Sequence, residues 1–382
     1  MDCMDVGDSN PDIAGLGIIL SFVIQAGFSF VLSIWSAIVD GSLMAVVRLY
    51  FPPLSPRDDA PGADFSPEGR NVLSVPHQLQ KLYIEKMSET ISDVQTLNGI
   101  SLLIGAMAQS RSLNLYHFHI IYDIVNLTGI SVCAALINVI GAKNAHNSDR
   151  SVMVAFFLCL YFAFVVVFGI KLQTWDDNIP GRCYYANQIA MPTSLHPLGD
   201  DIYLAITSLY FFASMGACGI VALNASPQLQ RYLALEHLFS DPGSTSQKSS
   251  PMTLFEFMSE SVSDLFNLFH AEKLSLKKLG QSMAERSRRY FTFLPYDDRP
   301  KLIVLMLAML QYPLHIYMIF ALRAGNEYRL NGDSENYWGF GQIVALVLLA
   351  SLVLQGFRAI LDYRRTLKEK WLSTLPTRRA SI

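Results

Sequence analysis

The chain has 382 residues, of which 51% are hydrophobic, 12% aromatic and only 16% charged, with a formal net charge of −3. A soluble domain carries roughly a quarter charged residues, so the composition speaks against a water-soluble protein of this length. The near-neutral total says nothing about partners, and no basic tract points to nucleic acid; the information lies in how the charges are distributed.

Taken in chain order, seven apolar runs are long enough to be membrane spans: Ile13–Val39, Asp93–Gln109, Leu115–Gly141, Val152–Leu172, Ile202–Leu223, Leu302–Leu322 and Trp338–Ile360. A helix rising 1.5 Å per residue needs about 20 residues to cross a hydrocarbon core of roughly 30 Å. The second run is the weakest, with Asp93 and Asn98 in its first two turns. Acidic residues at Asp2, Asp5, Asp8 and Asp12 precede the first run, which is too long for a cleavable signal. The expectation is an all-α bundle of seven transmembrane helices. An eighth would have to come from TLFEFMSESVSDLFNLF, which reads better as an amphipathic surface helix.

The chain divides into a five-span part (1–223), a soluble loop (224–301), two last spans (302–361) and a basic tail (362–382). Residues 52–76 are rich in Pro, Gly and Asp and read as an irregular loop, after which LQKLYIEKMSETISDV has helical spacing leading into the second span. Within 224–301, SDPGSTSQKSSP is low in apolar residues and reads as disordered, and KKLGQSMAERSRRYF as a basic amphipathic helix against anionic headgroups. The tail RRASI resembles a basophilic kinase site at Ser381.

With the N-terminus outside, 24 of the 29 Lys and Arg fall in the inside segments. The positive-inside rule therefore predicts an outside or lumenal N-terminus and a cytoplasmic C-terminus. Cys3 and Cys183 then share the oxidising side, and a disulfide between them is expected. Cys133, Cys159 and Cys218 fall inside spans.

The third span carries the most expensive side chains. In LNLYHFHIIYDIVNLTG, residues Tyr116, His119, Asp123 and Asn126 fall within about 80° of helical arc, and His119 and Asp123 are i,i+4 neighbours. His117 points elsewhere and reads as packing or interface. An intramembrane ionisable residue usually faces a partner or a cavity. At the same depth stand Asp12, Gln109, Asp200, Asp201, Tyr203, Tyr312, His315 and Gln342. Together they predict a pocket opening to the outer face, lined by Tyr116, Asn126, Gln109, Tyr312 and His315. The competing explanation is that each residue merely joins helices.

Paired acids occur as DDAPG, DDNIP, DDIYL and DDRPK, none continuing to DDxxD, and there is no P-loop, HExxH or GxSxG. The histidines lack metal-ligand spacing, so no metal is expected.

At NPDIAGLGIIL, LNGISLLIGAMAQ, LYHFHIIYDI and PGRCY the chain resembles the membrane-bound terpene cyclases of fungal meroterpenoid pathways, relatives of the ascofuranone and macrophorin cyclases within a larger group of fungal multi-span proteins. It departs from the family pattern at His119, where the family has Gln, and at Cys133, where a His stands nearby. The resemblance implies a class II cyclisation: a carboxylic acid protonates the terminal alkene or epoxide of a prenyl chain, and the cation runs through successive double bonds. Burial favours the neutral acid that this step needs. Asp123, oriented or reprotonated by His119, is the implied general acid, with Asp12 second, and aromatic faces would steady the cation. The class II chemistry implied by the resemblance requires no organic cofactor. The implied partners are the bilayer, in endoplasmic reticulum or another endomembrane, and a lipophilic prenylated small molecule. A seven-span receptor shares the topology, but the receptor pattern NPxxY is missing from the last span of this chain. A transporter could use His119 and Asp123 as a relay, provided polar residues continue past Asn126.

Overall fold

The computed structural model describes residues 3, 5–39, 75–139, 147–185, 198–225, 299–332 and 335–374. Among them, regular structure is helical: α1 (Pro11–Ala14), α2 (Leu16–Val39), α3 (Val75–Ala108), α4 (Leu115–Val139), α5 (Asn147–Leu172), α6 (Leu198–Ala225), α7 (Arg299–Asn326) and α8 (Phe340–Thr374), with a 3₁₀ turn at Glu327–Arg329. Each of the seven sequence runs falls mainly on one of the long helices α2–α8, although the first run begins in α1, and α3, α5, α6, α7 and α8 extend past their runs. The predicted loop at 52–76 (all but its last two residues), the amphipathic, basic and disordered segments of 224–301, the eighth-span candidate and Ser381 lie outside the described residues.

Six of these helices are long and apolar enough to cross a membrane. Helix α3 is the exception, because LQKLYIEKMSETISDV forms its first half as one continuous 34-residue helix. The outward faces of α5 and α8 carry Val152, Phe156, Phe162, Val166, Val347, Leu354 and Phe357, all exposed. Apolar faces of that extent belong in lipid, where a helix satisfies its own backbone. The chain is a multi-pass, all-helical membrane protein.

Helix α4 is the axis. Of its most apolar stretch 94% is buried, against 11% for α8, and α1, α2, α3, α5, α6 and α7 all pack on it. Close packing demands small residues there. A Cβ on Gly129 would overlap the ring of Phe211 from α6, and one on Gly99 of α3 would press on Phe157.

Loops at one end of the bundle knit into a cap. Asn331 N–H donates to Gly7 O and Ser9 N–H to Asn331 O, both at 2.9 Å; Gly181 N–H donates to Asp5 O at 3.1 Å, and Leu115 N–H to Gly181 O at 2.9 Å. Gly7 (φ 98°) and Gly181 (φ 75°) take left-handed backbone against Asn114, a conformation that costs other residues energy. Cys3 and Cys183 are disulfide-bonded across 180 residues of sequence, with Cα atoms 5.6 Å apart.

The NPDIAG segment belongs to this cap. Asn10 caps α1 by accepting from Asp12 N–H at 3.1 Å, and Pro11 opens the helix. Asp12 Oδ1 accepts from Gly341 N–H at 2.9 Å, so it caps the start of α8. Gly15 lies where any Cβ would overlap Pro11 O and the Gln342 side chain, and Gln342 Oε1 accepts from Gly17 N–H at 3.0 Å.

Gly129→Val should therefore lower the thermal midpoint of the detergent-solubilised protein, because overpacking a core costs about 1–3 kcal/mol. Gly216→Val, on an α6 face with open space beside it, should leave the midpoint nearly unchanged.

Candidate functional site

Two buried polar centres sit side by side on α4. The first is built around Asp123, which is fully buried. Its Oδ1 accepts from Tyr203 Oη of α6 at 2.7 Å and from His315 Nδ1 of α7 at 2.8 Å. Its Oδ2 faces His119 Nε2, one turn earlier on α4, at 3.5 Å. On the other side of that imidazole, Nδ1 lies 2.8 Å from Tyr184 Oη and 4.0 Å from the Asp200 carboxylate. Burial first, then the negative charge of Asp200, pushes the Tyr184 hydroxyl well above the ordinary phenol range. It therefore stays protonated, able to donate to one neighbour while accepting from the other.

Three buried atoms of this centre have no hydrogen-bond partner among the described residues: Asp123 Oδ2, His119 Nε2 and His315 Nε2. A buried polar atom left unpaired costs about 1–3 kcal/mol, and three around one carboxylate are far above the usual density of such atoms. His119 Nε2 and Asp123 Oδ2 face each other across 3.5 Å, a separation too long for a strong hydrogen bond.

Aromatic rings wall the centre. The His119 ring is 5.4 Å from Tyr184, 5.5 Å from Tyr203 and 5.7 Å from Phe168, centroid to centroid. Towards the bundle's far end Tyr122 Oη meets Thr207 Oγ1 at 2.6 Å and Ser208 Oγ at 2.8 Å. Tyr161 Oη donates to Asn126 Oδ1 at 2.9 Å, and Asn126 Nδ2 donates back to Tyr122 O at 2.8 Å.

The second centre is the buried carboxylate of Glu335, from the loop between α7 and α8. It accepts from Tyr116 Oη at 3.0 Å and pairs with His117 Nε2 at 2.8 Å. Arg323 Nε lies 3.9 Å away, itself tied to Ala14 O at 3.0 Å and to Asn336 at 2.7 Å. Every member has a partner, so this centre fastens the cap to the bundle.

Five sequence expectations are corrected by this geometry. Tyr116 does not join the Asp123 stripe: its long side chain reaches up to Glu335. His117 is an ion-pair partner rather than simple packing. Tyr312 leaves the site altogether, donating to Val23 O at 3.1 Å and lying 5.0 Å from the Phe30 ring. Gln109 is exposed in the α3–α4 turn. Asp12 is likewise an exposed cap for α8, remote from the buried acid-base atoms by its partners. His119, Asp123 and His315 are brought together, with Asn126 in the adjoining network. Nothing in PGRCYY marks Tyr184 as a partner of His119, and Glu335 has no local signal in GDSENY. Among the described residues no set of His, Cys, Asp and Glu side chains is arranged to hold a metal ion.

Glu335→Ala would leave His117 and Arg323 without their buried counter-charge. Breaking one partner of a buried pair costs about 3–5 kcal/mol, so the thermal midpoint should fall sharply, with Glu335→Gln falling less because its amide still fills the site and accepts from Tyr116.

No protein-family model matches the chain, and no curated protein and no solved structure matches it either.

Proposed function

We propose that the protein is a membrane-bound, class II-type terpene cyclase acting on a prenylated aromatic precursor, with Asp123 as the general acid. What carries the reading is the set of unpartnered polar atoms around Asp123, buried among aromatic faces inside an apolar bundle. Acid-initiated cyclisation needs a proton that is not locked in a strong hydrogen bond, and rings whose quadrupoles steady a travelling cation. His119 and His315 flank the carboxylate and serve to orient and reprotonate it. Tyr203 fixes the oxygen that is not the donor. A farnesylated aromatic is lipophilic enough to come from the bilayer.

The orientation with the N-terminus lumenal and seven spans in all goes with this reading. Its supports are the skew of Lys and Arg and the Cys3–Cys183 disulfide at the cap end, since disulfides form on the oxidising side. An endoplasmic reticulum location suits the same facts. For α3 to be the seventh span, its polar positions must find partners on neighbouring helices, as Ser88, Gln95 Oε1 and Asn98 do.

A proton-coupled transporter is the second reading, favoured by further buried polar residues toward the far end, among them Gln95, Ser131 and Asn138. Among the described residues, however, no hydrogen bond joins them to the Asp123 network, and that break counts against a continuous relay.

Expressed in a host without such pathways and given prenylated phenols and their epoxides, the wild type should form cyclised products detectable by mass spectrometry. Asp123→Asn should reduce turnover by at least about 10³-fold, and Tyr203→Phe by about tenfold. Asp12→Asn should retain turnover and lose only thermal stability. A wild type that cyclises nothing from a broad alkene and epoxide panel would remove the cyclase reading; full activity in Asp123→Asn would remove the assigned acid.

A further inference from the structure

A groove of about 260 Å³ opens on the protein surface at the cap end, where α4 begins and α5 ends. Its wall is apolar, formed by Leu115, Val167 and Ile170, and its rim carries Lys171, Thr174 and Arg182. No Asp or Glu lines it. Neither Lys171 nor Arg182 makes an ion pair among the described residues, although Asp176 and Asp177 follow a few residues after Lys171. Two like charges facing one small groove repel each other, and an anion between them relieves that repulsion.

Neither cation is placed by chance of a floppy tail. Lys171 is on the last turn of α5, and its ammonium lies over the Phe118 ring, 5.6 Å from the centroid. Arg182 adjoins Cys183, whose disulfide pins the loop, and its backbone closes two turns, accepting from Asp176 N–H and donating to Ile179 O.

The groove also adjoins the Asp123 centre. Phe118 stacks on Phe168 at 6.1 Å, and Phe168 lies 5.7 Å from the His119 ring. One stack of rings thus separates the cationic rim from the acid-base atoms. The volume is below that of a site enclosing a whole drug-sized molecule, so it suits a single-ring head whose tail lies elsewhere, and is small for a phospholipid with two chains.

We propose that this groove binds the anionic head of the substrate, a carboxylate on a prenylated aromatic ring, with Lys171 and Arg182 as its counter-charges. The identity of the tail rests on the cyclase reading; the charge and ring do not. The protein then selects an acidic prenyl-aromatic over its neutral ester, and the head is held on the lipid side of the Phe118–Phe168 stack while the prenyl chain reaches the Asp123 centre.

The test is equilibrium binding to the full chain in neutral detergent, with farnesylated benzoic acid and its methyl ester as probes. Wild type should bind the acid about tenfold or more tightly than the ester. The double variant Lys171→Gln/Arg182→Gln should lose that preference while binding the ester as before, and Asp123→Asn should keep it. Because turnover is not measured, loss of cyclase activity and loss of head recognition are read separately. A thermal midpoint of the double variant within a degree or so of wild type excludes misfolding as the cause; should it fall, the milder Lys171→Arg/Arg182→Lys, which keeps both charges, must restore the preference. Equal binding of acid and ester by wild type, or an acid preference that survives in the double variant, overturns the proposal. So does native mass spectrometry in which phosphatidylglycerol, and not the farnesylated acid, is retained in a Lys171- and Arg182-dependent manner, since the groove would then be a lipid headgroup site.

Discussion

The structure depends on one constraint: α4 is buried on all sides in an apolar bundle yet carries His117, His119, Asp123, Asn126, Thr128, Ser131 and Asn138. Each of these would cost several kcal/mol if left in hydrocarbon without a partner. The surrounding helices are therefore arranged by what they must offer. Helices α6 and α7 bring Tyr203, Thr207, Ser208 and His315 to Asp123 and Tyr122, α5 brings Tyr161 to Asn126, and the α7–α8 loop brings Glu335 down to His117. Helix α8 meets none of these needs and packs instead on α1, α2 and α3 with most of its surface outward.

The same constraint explains why α3 belongs in the bundle despite its composition. Helix α2 presents Ser21, Gln25, Ser29 and Ser33 at four-residue spacing, one buried face. Asn98 Nδ2 donates to Gln25 Oε1 at 3.3 Å; Gln95 Oε1 accepts from Ser29 at 3.2 Å and from Ser131 at 2.6 Å; Asn138 Nδ2 donates to both Ser33 and Ser88, at 3.1 and 3.0 Å. Small hydroxyl and amide side chains let three helices approach closely and satisfy one another. Of the charged residues on α3, Asp93 and Glu89 are both taken by Arg150 at the start of α5, at 2.7 Å and 2.9 Å.

That seam was legible in the sequence as a spacing, since serines at 21, 29 and 33 with Gln25 share one face, yet serine in an apolar run raises no signal by itself. The helices were legible because apolar length is a direct consequence of bilayer thickness. The pairing of His119 with Asp123 was legible because i,i+4 geometry is local. His315 was legible only as a polar residue at similar depth; that it, and not Tyr312 three residues earlier, meets Asp123 is decided by the rotation of α7 about its axis, which packing sets. Tyr116 shows the opposite limit. A wheel places its Cβ on the Asp123 side, but a tyrosine hydroxyl lies far along the axis from its Cβ, and Glu335 from a distant loop stands there. Asp12 misled for a related reason: NPDIAG holds a carboxylate at a span's edge, and only the position of Gly341 reveals that its task is to cap α8.

The cap also determines how anything reaches Asp123. Backbone pairs between residues 5–9, 181 and 331, the disulfide, and the fully partnered Glu335 centre lie across the end of the bundle nearest the carboxylate. Opening that end would mean separating a buried ion pair and several backbone hydrogen bonds at once, each without a replacement partner. The side walls are different. Between α4 and α5 the separation from the surface is made of rings: Phe118, Phe164 and Phe168, stacked and joined by dispersion alone. Rings can turn or slide without stranding a polar group, so the cost of admitting a molecule there is repacking rather than desolvation. Under the cyclase proposal, the molecule admitted by such a wall is one that is itself apolar along most of its length, in keeping with a buried polar centre closed at the cap and walled by buried rings towards α5.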